Sequence, residues 1–432
     1  MGEVSVVENK KVILKNYVDG IPTETDMEVK LGETIELKAP KGSSCFLVKN
    51  LYLSCDPYMR GRMRDFHGSY LPPFVPGQKC CEVLRFVLFI GELFIFEERE
   101  MCRCCIYALE RSCTPSFRCF DEWIYYMLRK LEICYILLVK LFIFFNDSLI
   151  STDSFVILMQ RIEGFGLARV IDSDDTNYKP GDIVSGIIGW EEYSLLRSSD
   201  NLQLRNIQLD DDIPLSYHLG LLGMAGFTAY AGFNEICCPK KGDSVFVSAA
   251  CGAVGQLVGQ LAKLHGCYVV GSAGSKQKVE ILKNELGYDE AFNYKEEADL
   301  DTALKRYFPE GIDIYFDNVG GSMLDAALLN MKVRGRIALC GMVSLQSLST
   351  SSQGIKNLYS AIYKRLRLEG FLQSDYLHIF PQFLENVKRY YKEGKIVYVE
   401  DISEGLDLAP AALVGLFSGK NIGKQVVRVA KE

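Results

Sequence analysis

A turn containing two glycines lies near the middle of the sequence, between an apolar run (SVFVS) and a segment with helical periodicity. The turn consists of Ala249, Ala250, Cys251, Gly252, Ala253, Val254 and Gly255. Glycines allow a ligand to approach the backbone, and the helix that follows presents free N–H groups, which together suit the pyrophosphate of a dinucleotide. The spacing is A-x-x-G-x-x-G rather than G-x-G-x-x-G, and such a turn alone can also be purely structural.

The next apolar stretch ends without an acidic residue. A site for NAD normally has Asp or Glu there to bind the ribose 2′-hydroxyl. This sequence has Gly274, then Ser275 as a predicted helix N-cap, and Lys278 in the first turn of that helix. A cation and free N–H groups suit a 2′-phosphate, so the residues favour NADPH. The alternative is that Lys278 is an ordinary solvated helix lysine.

Strands and helices alternate around these residues. Strands are predicted at residues 244–248, 267–270, 291–294, 312–316 and 336–340, and helices at 256–266 and 276–286. Strands that alternate with helices of ten or more residues are typical of a doubly wound parallel sheet. This setting strengthens the interpretation of the glycine turn as a dinucleotide site.

The composition restricts the classes of function. The chain has 432 residues, which predicts two to three domains at about 150 residues each. Lys and Arg number 48 against 55 Asp and Glu, and the net charge of −7 argues against nucleic-acid binding. The four histidines are scattered, which leaves little material for a histidine metal site. The start of the chain has no apolar run of signal-peptide length, so a cytoplasmic location is expected.

Residues 79–160 differ from the rest of the sequence. They contain eight of the 15 cysteines but only one of the 37 glycines and one of the 13 prolines. A transmembrane hairpin is disfavoured because Glu92 and Lys140 interrupt its apolar runs, which are shorter than a membrane span. A zinc knuckle at residues 102–105 is disfavoured by its C-x-C-C spacing. The favoured interpretation is a retained intron or gene-model artefact, so no membrane partner is expected.

Six motifs run in order along the chain outside this block. They are DPYMR at 56–60, WEEY at 190–193, GMAGFTAY at 223–230, FDNVGG at 316–321, CGM at 340–342 and NIGKQVV at 421–427. With the glycine turn, they resemble the zinc-independent medium-chain dehydrogenase/reductase superfamily. More narrowly, they are similar to the plant NADPH-dependent 2-alkenal (double-bond) reductases and the leukotriene B4 12-hydroxydehydrogenase/prostaglandin reductases.

The resemblance implies an α/β architecture of two domains. It implies a GroES-like β-barrel catalytic domain in residues 1–78 and 161–208, with residues 79–160 as an atypical insertion. A Rossmann NADPH-binding domain would follow at 209–376, and residues 377–432 would return to the catalytic domain. Homodimers are common in the family, although nothing in the residues points to one independently.

The resemblance also implies a reaction and its site. The reaction is NADPH-dependent reduction of the C=C double bond of an α,β-unsaturated aldehyde or ketone, with Tyr58 donating to the carbonyl oxygen. The cofactor-binding residues would be the turn 249–255 together with Gly274, Lys278, Tyr294, Asn318, Cys340, Phe371, Leu372, Gln373 and Asn421. Without the family, Tyr294 and Phe371 could be core aromatics, Cys340 a buried small residue and Asn318 a turn residue. No metal is expected, since the cysteines outside the block lack zinc-like spacing.

One position departs from the plant family. Many members have Gln-Tyr-Asn shortly after the C-G-M motif, whereas Gln346 stands here at the tyrosine position. An amide donates a hydrogen bond but is no acid at neutral pH. Protonation of the enolate is therefore expected to depend on the cofactor ribose hydroxyl, water or Tyr58. Two alternatives stay open: a quinone oxidoreductase on the same scaffold, and an isoform made inactive by residues 79–160.

Overall fold

The computed structural model describes residues 5–76, 161–200, 203–346 and 354–431. The interpretations of residues 79–160 therefore lie outside the described residues and stay predictions. The strands are Val6–Leu14 (β1), Met27–Glu36 (β2), Cys45–Ser54 (β3), Glu163–Ser173 (β4), Ile183–Gly189 (β5), Tyr193–Arg197 (β6), Arg205–Asn206 (β7), Ser244–Val247 (β8), Tyr268–Ala273 (β9), Glu290–Asn293 (β10), Ile312–Asp317 (β11), Met331–Leu339 (β12), Arg367–Gly370 (β13), Glu400–Glu404 (β14) and Lys424–Arg428 (β15).

Within the described residues, the helices lie mainly in the second half of the chain. The α-helices are Met59–Arg62 (α1), Met224–Ala231 (α2), Gly255–Leu264 (α3), Lys276–Asn284 (α4), Leu300–Tyr307 (α5), Gly321–Asn330 (α6), Val343–Gln346 (α7), Ser360–Lys364 (α8), Phe380–Lys392 (α9) and Ala409–Ser418 (α10). A π-helical turn, Gly232–Cys237, continues α2. Short 3-10 helices lie at Glu24–Asp26, Ser198–Asp200, Leu215–His218, Gln373–Ile379 and Leu406–Leu408. None of the described helices is long and apolar enough to cross a membrane.

Six parallel strands form one sheet in the order β10-β9-β8-β11-β12-β13. The chain enters this sheet at the central strand β8 and adds β9 and β10 on one side. It then returns to the centre at β11 and adds β12 and β13 on the other side. The change of direction creates a switch point between β8 and β11, where the carboxyl ends of two adjacent strands leave a crevice for a ligand. The predicted doubly wound sheet is confirmed.

Helix α3 lies very close to this sheet because its glycines carry no side chains. A Cβ at Gly255 would be 2.6 Å from the carbonyl oxygen of Ala249. The hydroxyl of Tyr288 donates a 2.7 Å hydrogen bond to the carbonyl of Gly255, and its ring occupies the space beside Gly259. On the sheet itself, Phe246 stacks on Tyr315 with ring centroids 4.9 Å apart. The contacts of Gly255 with Ala249 and Tyr288 therefore fix the start of α3 against the turn that follows β8.

A second, mainly antiparallel sheet has the order β14-β15-β3-β4-β5-β7. Strand β3 pairs with β4 along one edge, while its other edge is shared by β6 and, further along, β15. Strands β1 and β2 form a separate two-stranded antiparallel sheet, and the N–H of Val12 in β1 donates to the carbonyl of Trp190, just after β5, at 2.7 Å. The expected α/β architecture, with this sheet beside a Rossmann sheet, is confirmed.

The C-terminal segment contacts both sheets. In α9, Phe383 packs against Phe227 and Tyr230 of α2, with ring centroids 5.2 and 5.6 Å apart. Further on, β15 pairs with β3. The exact domain boundaries stay a proposal, because elements on both sides of residue 377 pack together.

Candidate active site

The glycine turn has the geometry of an anion-binding loop. Ala249 adopts a left-handed conformation (φ 46°), and the N–H of Ala250 donates to the carbonyl of Ser272 at 3.0 Å. The N–H of Gly252 is used within the turn, on the carbonyl of Ala249 at 2.9 Å. The N–H groups of Ala253 and Val254 have no backbone acceptor among the described residues. Free amides at a helix start fit the pyrophosphate of a dinucleotide.

The C-terminal segment lies directly on this turn. The N–H of Gly423 donates to the carbonyl of Cys251 at 3.0 Å, and Gly423 forms a parallel bridge with Gly252. The side-chain amide of Asn421 donates to the carbonyl of Gly423 at 2.8 Å. The structure thus brings Asn421 beside the glycine turn, although some 170 residues separate them in the chain. Its contact with the cofactor stays a prediction.

Lys278 lies at the ends of β9 and β10 and is partly buried. The Ser275 hydroxyl accepts a hydrogen bond from the N–H of Lys278, which confirms the predicted N-cap. The Lys278 ammonium donates to the carbonyl of Gly419 at 2.8 Å. Burial lowers the pKa of Lys278, and the nearby positive charge of Lys295 lowers it further. The lysine is therefore held at this edge of the sheet rather than freely solvated.

Lys295 is a site residue that the sequence reasoning missed. A Cβ at Gly274 would lie 3.3 Å from both Lys295 Cε and Tyr294 Cε1, so these residues surround one small space. The Tyr294 ring is 42% exposed rather than packed in the core. The parallel register, with Asn293 opposite Ala273, places the two strand ends side by side. Lys295 and Tyr294 therefore border Gly274, the position expected for the 2′-phosphate end of the cofactor.

Asn318 lies at the switch point, immediately after β11. Its backbone N–H donates to the Ser248 hydroxyl at 3.0 Å, and its side-chain amide donates to the Ser248 carbonyl at 2.8 Å. Beneath it, a carboxylate oxygen of Asp317 accepts from the Tyr315 hydroxyl at 2.6 Å and from the Gly320 N–H at 2.8 Å. Burial raises the pKa of Asp317. Asn318 is thus held at the crevice by two hydrogen bonds to Ser248, just after the adjacent strand β8.

The next two strands end at the same edge of the sheet. After β12, Cys340 donates its N–H to the carbonyl of Asp317 at 2.9 Å, and burial raises the pKa of its thiol to about 12. This thiol therefore stays protonated and unreactive at neutral pH. After β13, the Phe371 ring packs edge-on against Phe316, with centroids 6.3 Å apart, and fills the space above Gly232.

The Phe371 side chain is thus partly buried against the core, and its contact with the cofactor stays a prediction. Leu372 is 39% exposed, and Gln373 begins the 3-10 helix Gln373–Ile379. Both residues follow the carboxyl end of β13, on the same sheet edge as the glycine turn. Their roles toward the nicotinamide stay predictions.

Tyr58 is at the start of α1, with its ring edge-on to Phe165 at a centroid distance of 6.4 Å. Its hydroxyl is buried and has no hydrogen-bond partner among the described residues. Burial raises the pKa of Tyr58, and the negative charge of Asp56 raises it further. The hydroxyl is thus protonated at neutral pH and available to donate to a ligand.

Tyr70 was also missed from the sequence. Burial raises the pKa of the Tyr70 hydroxyl, and the nearby Asp56 and Cys340 act in the same direction. The residue as a whole is 61% exposed. No motif marks this residue, because it lies in an irregular stretch after α1.

Comparisons with known proteins agree with this geometry. The sequence profile described as "N-terminal domain of oxidoreductase" matches residues 10–81, and "Zinc-binding dehydrogenase" matches residues 253–389. The chain is 50% identical over 426 residues to the 2-alkenal reductase (NADP(+)-dependent) of Nicotiana tabacum, covering 99% of each chain. It belongs to the zinc-independent medium-chain dehydrogenase/reductase family, in the branch of the 2-alkenal reductases.

Two further members support the assignment to this reductase family. The chain is 45% identical over 429 residues to the (+)-pulegone reductase of Mentha piperita, covering 99% of this chain and 100% of the relative. Among solved structures, CurA from Vibrio vulnificus in complex with NADPH superposes with a TM-score of 0.73 at 28% identity. That match covers 98% of this chain and 100% of CurA.

Two family-level expectations concern positions near the reaction centre. Gln346, which stands where many plant reductases have tyrosine, is the last residue of α7. Within the described ranges, no group of three or more His, Cys, Asp or Glu side chains is arranged to hold a metal ion.

Proposed function

We propose that this chain reduces the C=C double bond of α,β-unsaturated aldehydes and ketones with NADPH. The observation that carries the proposal is the 50% identity, over 99% of both chains, to an NADP-dependent 2-alkenal reductase. The described residues fit the cofactor, because the turn offers free amides and Gly255 has no room for a side chain. The cationic space around Gly274 fits the 2′-phosphate that distinguishes NADPH from NADH.

The chain would bind the cofactor along the carboxyl edge of the parallel sheet. The amides of residues 253–254 would hold the pyrophosphate, and Lys278 with Lys295 would pair with the 2′-phosphate. Asn318, Cys340 and Asn421 would border the ribose and nicotinamide, together with the backbone of residues 371–373. When bound, NADPH supplies a hydride for the β-carbon of the substrate.

Tyr58 would act on the substrate carbonyl. As the β-carbon gains hydride, negative charge collects on the carbonyl oxygen, and a fixed hydroxyl donor stabilises that charge. In the described part of the chain the Tyr58 hydroxyl is buried without a hydrogen-bond partner, and its raised pKa keeps it protonated, as this role requires. The α-carbon then takes a proton from water or from Tyr58, since Gln346 provides no acid.

The test is NADPH oxidation by the purified chain with trans-2-hexenal, with hexanal as the saturated control. We expect NADPH consumption with the enal only, and hexanal as the product detected by gas chromatography. Turnover of a simple quinone without turnover of the enal would favour the quinone oxidoreductase alternative. Conversion of hexanal to hexanol would contradict reduction at the C=C bond.

We also propose a cytoplasmic homodimer. Strand β13 is an edge strand of the parallel sheet, and the helix just before it presents Ile362 at 80% and Tyr363 at 52% exposure. An unpaired edge beside exposed apolar side chains favours association with a second copy. Light scattering on the eluting protein measures this directly. A monomeric mass that persists at high protein concentration would contradict it.

A further inference from the structure

Lys424 is a fully buried cation close to the proposed site. It is 1% exposed, and its ammonium donates to the carbonyl of Cys55 at 2.7 Å and to a carboxylate oxygen of Asp56 at 3.1 Å. A third bond, 3.1 Å long, goes to the carbonyl of Gln425. All three protons of the ammonium are therefore used.

Its partner is equally enclosed. The Asp56 side chain is 4% exposed, and its second carboxylate oxygen accepts from the Ser54 hydroxyl at 2.6 Å. Desolvating two charges costs free energy that a buried ion pair regains only with good geometry, so stability alone is a weak reason for such a pair. Its placement in the chain suggests a different reason.

The two residues join the two halves of the proposed site. Lys424 follows directly on Gly423, which is bonded to the glycine turn through Cys251. Asp56 lies two residues before Tyr58, in the segment that connects β3 to α1. The Lys424–Asp56 ion pair thus connects the segment that lies on the glycine turn to the segment that carries Tyr58.

Tyr58 depends on this connection for its position. Its hydroxyl has no partner among the described residues, so the side chain is held by its backbone and by packing, including that against Phe165. The backbone is held at the start of α1, where the N–H of Met59 donates to the carbonyl of Asp56 at 3.1 Å. Fixing Asp56 therefore fixes the turn from which Tyr58 projects.

We propose that Lys424 and Asp56 are positioning residues, whose ion pair holds Tyr58 in register with the cofactor-binding turn. The inference rests on the proposed role of Tyr58 in enone reduction. Displacing a donor by about 1 Å can cost about 100-fold in rate. The pair would therefore affect turnover through Tyr58 and not by touching the substrate.

A double-mutant cycle tests the coupling, with NADPH and trans-2-hexenal as substrates. We expect Lys424→Met to lower kcat about 10- to 100-fold in the wild-type background. In a Tyr58→Phe background, the same substitution should lower kcat less than about threefold, because the hydroxyl it positions is gone. Equal losses in both backgrounds would overturn the proposal. Lys431→Met, at an exposed lysine near the same end of the chain, is the matched control.

A variant without either charge of the ion pair distinguishes a loss of positioning from a folding defect. Lys424→Met leaves Asp56 buried and unpaired, whereas Asp56→Asn with Lys424→Met leaves no buried charge. We expect this double variant to bind NADPH, measured by fluorescence, and to keep the low kcat. Recovery of wild-type kcat in the double variant would mean that the pair serves stability only, and would overturn the positioning role.

Amide hydrogen exchange gives a readout that needs no turnover. The N–H groups of Met59 and Arg60 donate to the carbonyls of Asp56 and Pro57, so their exchange reports on the Tyr58 turn. We expect faster exchange in a peptide covering residues 55–62 of Lys424→Met and no change in Lys431→Met. Unchanged exchange would refute the inference even if the wild-type chain proves to reduce no enal. Absence of enal reduction by the wild type, with faster exchange in the variant, would refute only the proposed function.

Discussion

Among single residues, Tyr58 combines two properties that matter for an oxyanion donor. Its hydroxyl is buried without a partner in the described part of the chain, and burial raises its pKa, so the proton stays on the oxygen. Tyr58→Phe should therefore lower kcat for trans-2-hexenal about 100- to 1000-fold, as loss of an oxyanion donor does elsewhere. The KM for NADPH should stay within about twofold, because the hydroxyl acts on the substrate.

Tyr178→Phe provides the control for this variant. The Tyr178 ring stacks on Phe46 at a centroid distance of 4.3 Å, in the core of the N-terminal sheet and away from the residues proposed to act. Its substitution should leave kcat unchanged. Unchanged turnover in Tyr58→Phe at saturating NADPH would show that another donor serves the carbonyl oxygen.

Lys278 determines the choice of cofactor if its ammonium pairs with the 2′-phosphate. A hydrogen bond to a charged group contributes about 1.5–3 kcal/mol, so Lys278→Ala should raise the KM for NADPH about 10- to 100-fold. The KM for NADH should change less than about twofold, since NADH has no 2′-phosphate. Lys276→Ala, an exposed lysine on the same helix, is the matched control. An equal rise in the KM for NADPH and the KM for NADH would show that Lys278 does not bind the 2′-phosphate.

Local sequence signals identified part of this site. The N-cap Ser275 and the glycine turn could be predicted, because capping and turn geometry depend on a few consecutive residues. Lys295 and Tyr70 could not, because their closeness to Lys278 and Cys340 comes from how separate segments pack. Lys424 is the clearest example of a residue that the sequence could not identify. Nothing in the local sequence shows that this lysine is buried, and its partner Asp56 is 368 residues away.

Among the elements, five of the six strands of the parallel sheet were predicted, whereas β13 was not, and the prediction for β12 missed its first residues. The apolar pattern predicted a start at residue 336, whereas the strand begins at Met331. The intervening residues include exposed Val333 and Arg334, and Arg334 has a positive φ of 65°. A strand whose first half is exposed and irregular lacks the apolar signal on which such a prediction depends.

Strand β14 begins with a carboxylate that titrates near neutrality. One oxygen of Glu400 accepts from the Ser216 hydroxyl at 2.6 Å, and the other is buried without a partner among the described residues. Burial raises the pKa of Glu400 to about 7, against the opposing effects of Ser216 and Lys424. The folded chain therefore favours the protonated form.

Protonated Glu400 therefore contributes to the free energy of unfolding. This contribution is complete below 4.5, the pKa of Glu400 in the unfolded chain, and is lost as the pH rises through about 7, its pKa in the folded chain. Glu400→Gln, which cannot ionise, should gain stability over the wild type between about pH 5.5 and pH 8, by at most about 3 kcal/mol. Thermal denaturation at both pH values measures the difference. Glu404→Gln is the control on the same strand, because Arg428 lowers the pKa of Glu404 and its titration lies below this range. An equal difference at both pH values would contradict the assignment.

On the scale of the whole molecule, the C-terminal strand completes the N-terminal sheet, with Val426 opposite Ser54. Such long-range pairing follows from the folded topology and has no local sequence signal; only the family resemblance implied it.

The described segments that precede and follow residues 79–160 make hydrogen bonds to other parts of the described chain. The N–H of Phe74 donates to the carbonyl of Arg62 at 2.6 Å, and the N–H of Ile162 donates to the carbonyl of Val12 at 3.0 Å.

Removing residues 79–160 is therefore expected to leave a folded, active reductase. The Arg161–Glu191 ion pair and the bridge between Ile13 and Arg161 lie entirely within the retained chain. The deletion bonds Gln78 directly to Arg161, so the entropic cost of closing a long loop between them is removed. NADPH oxidation with trans-2-hexenal should then proceed at least as fast as in the full chain.

The two chains together distinguish the alternatives for this block. Equal activity in both would make residues 79–160 a tolerated insertion. Activity only in the shortened chain would identify the full-length form as the defective one. If neither chain oxidises NADPH with an enal, although both bind NADPH and unfold cooperatively, enal reduction is wrong for this scaffold. A quinone should then be the next substrate tried, because quinone reduction needs the same hydride donor but no proton delivery to an α-carbon.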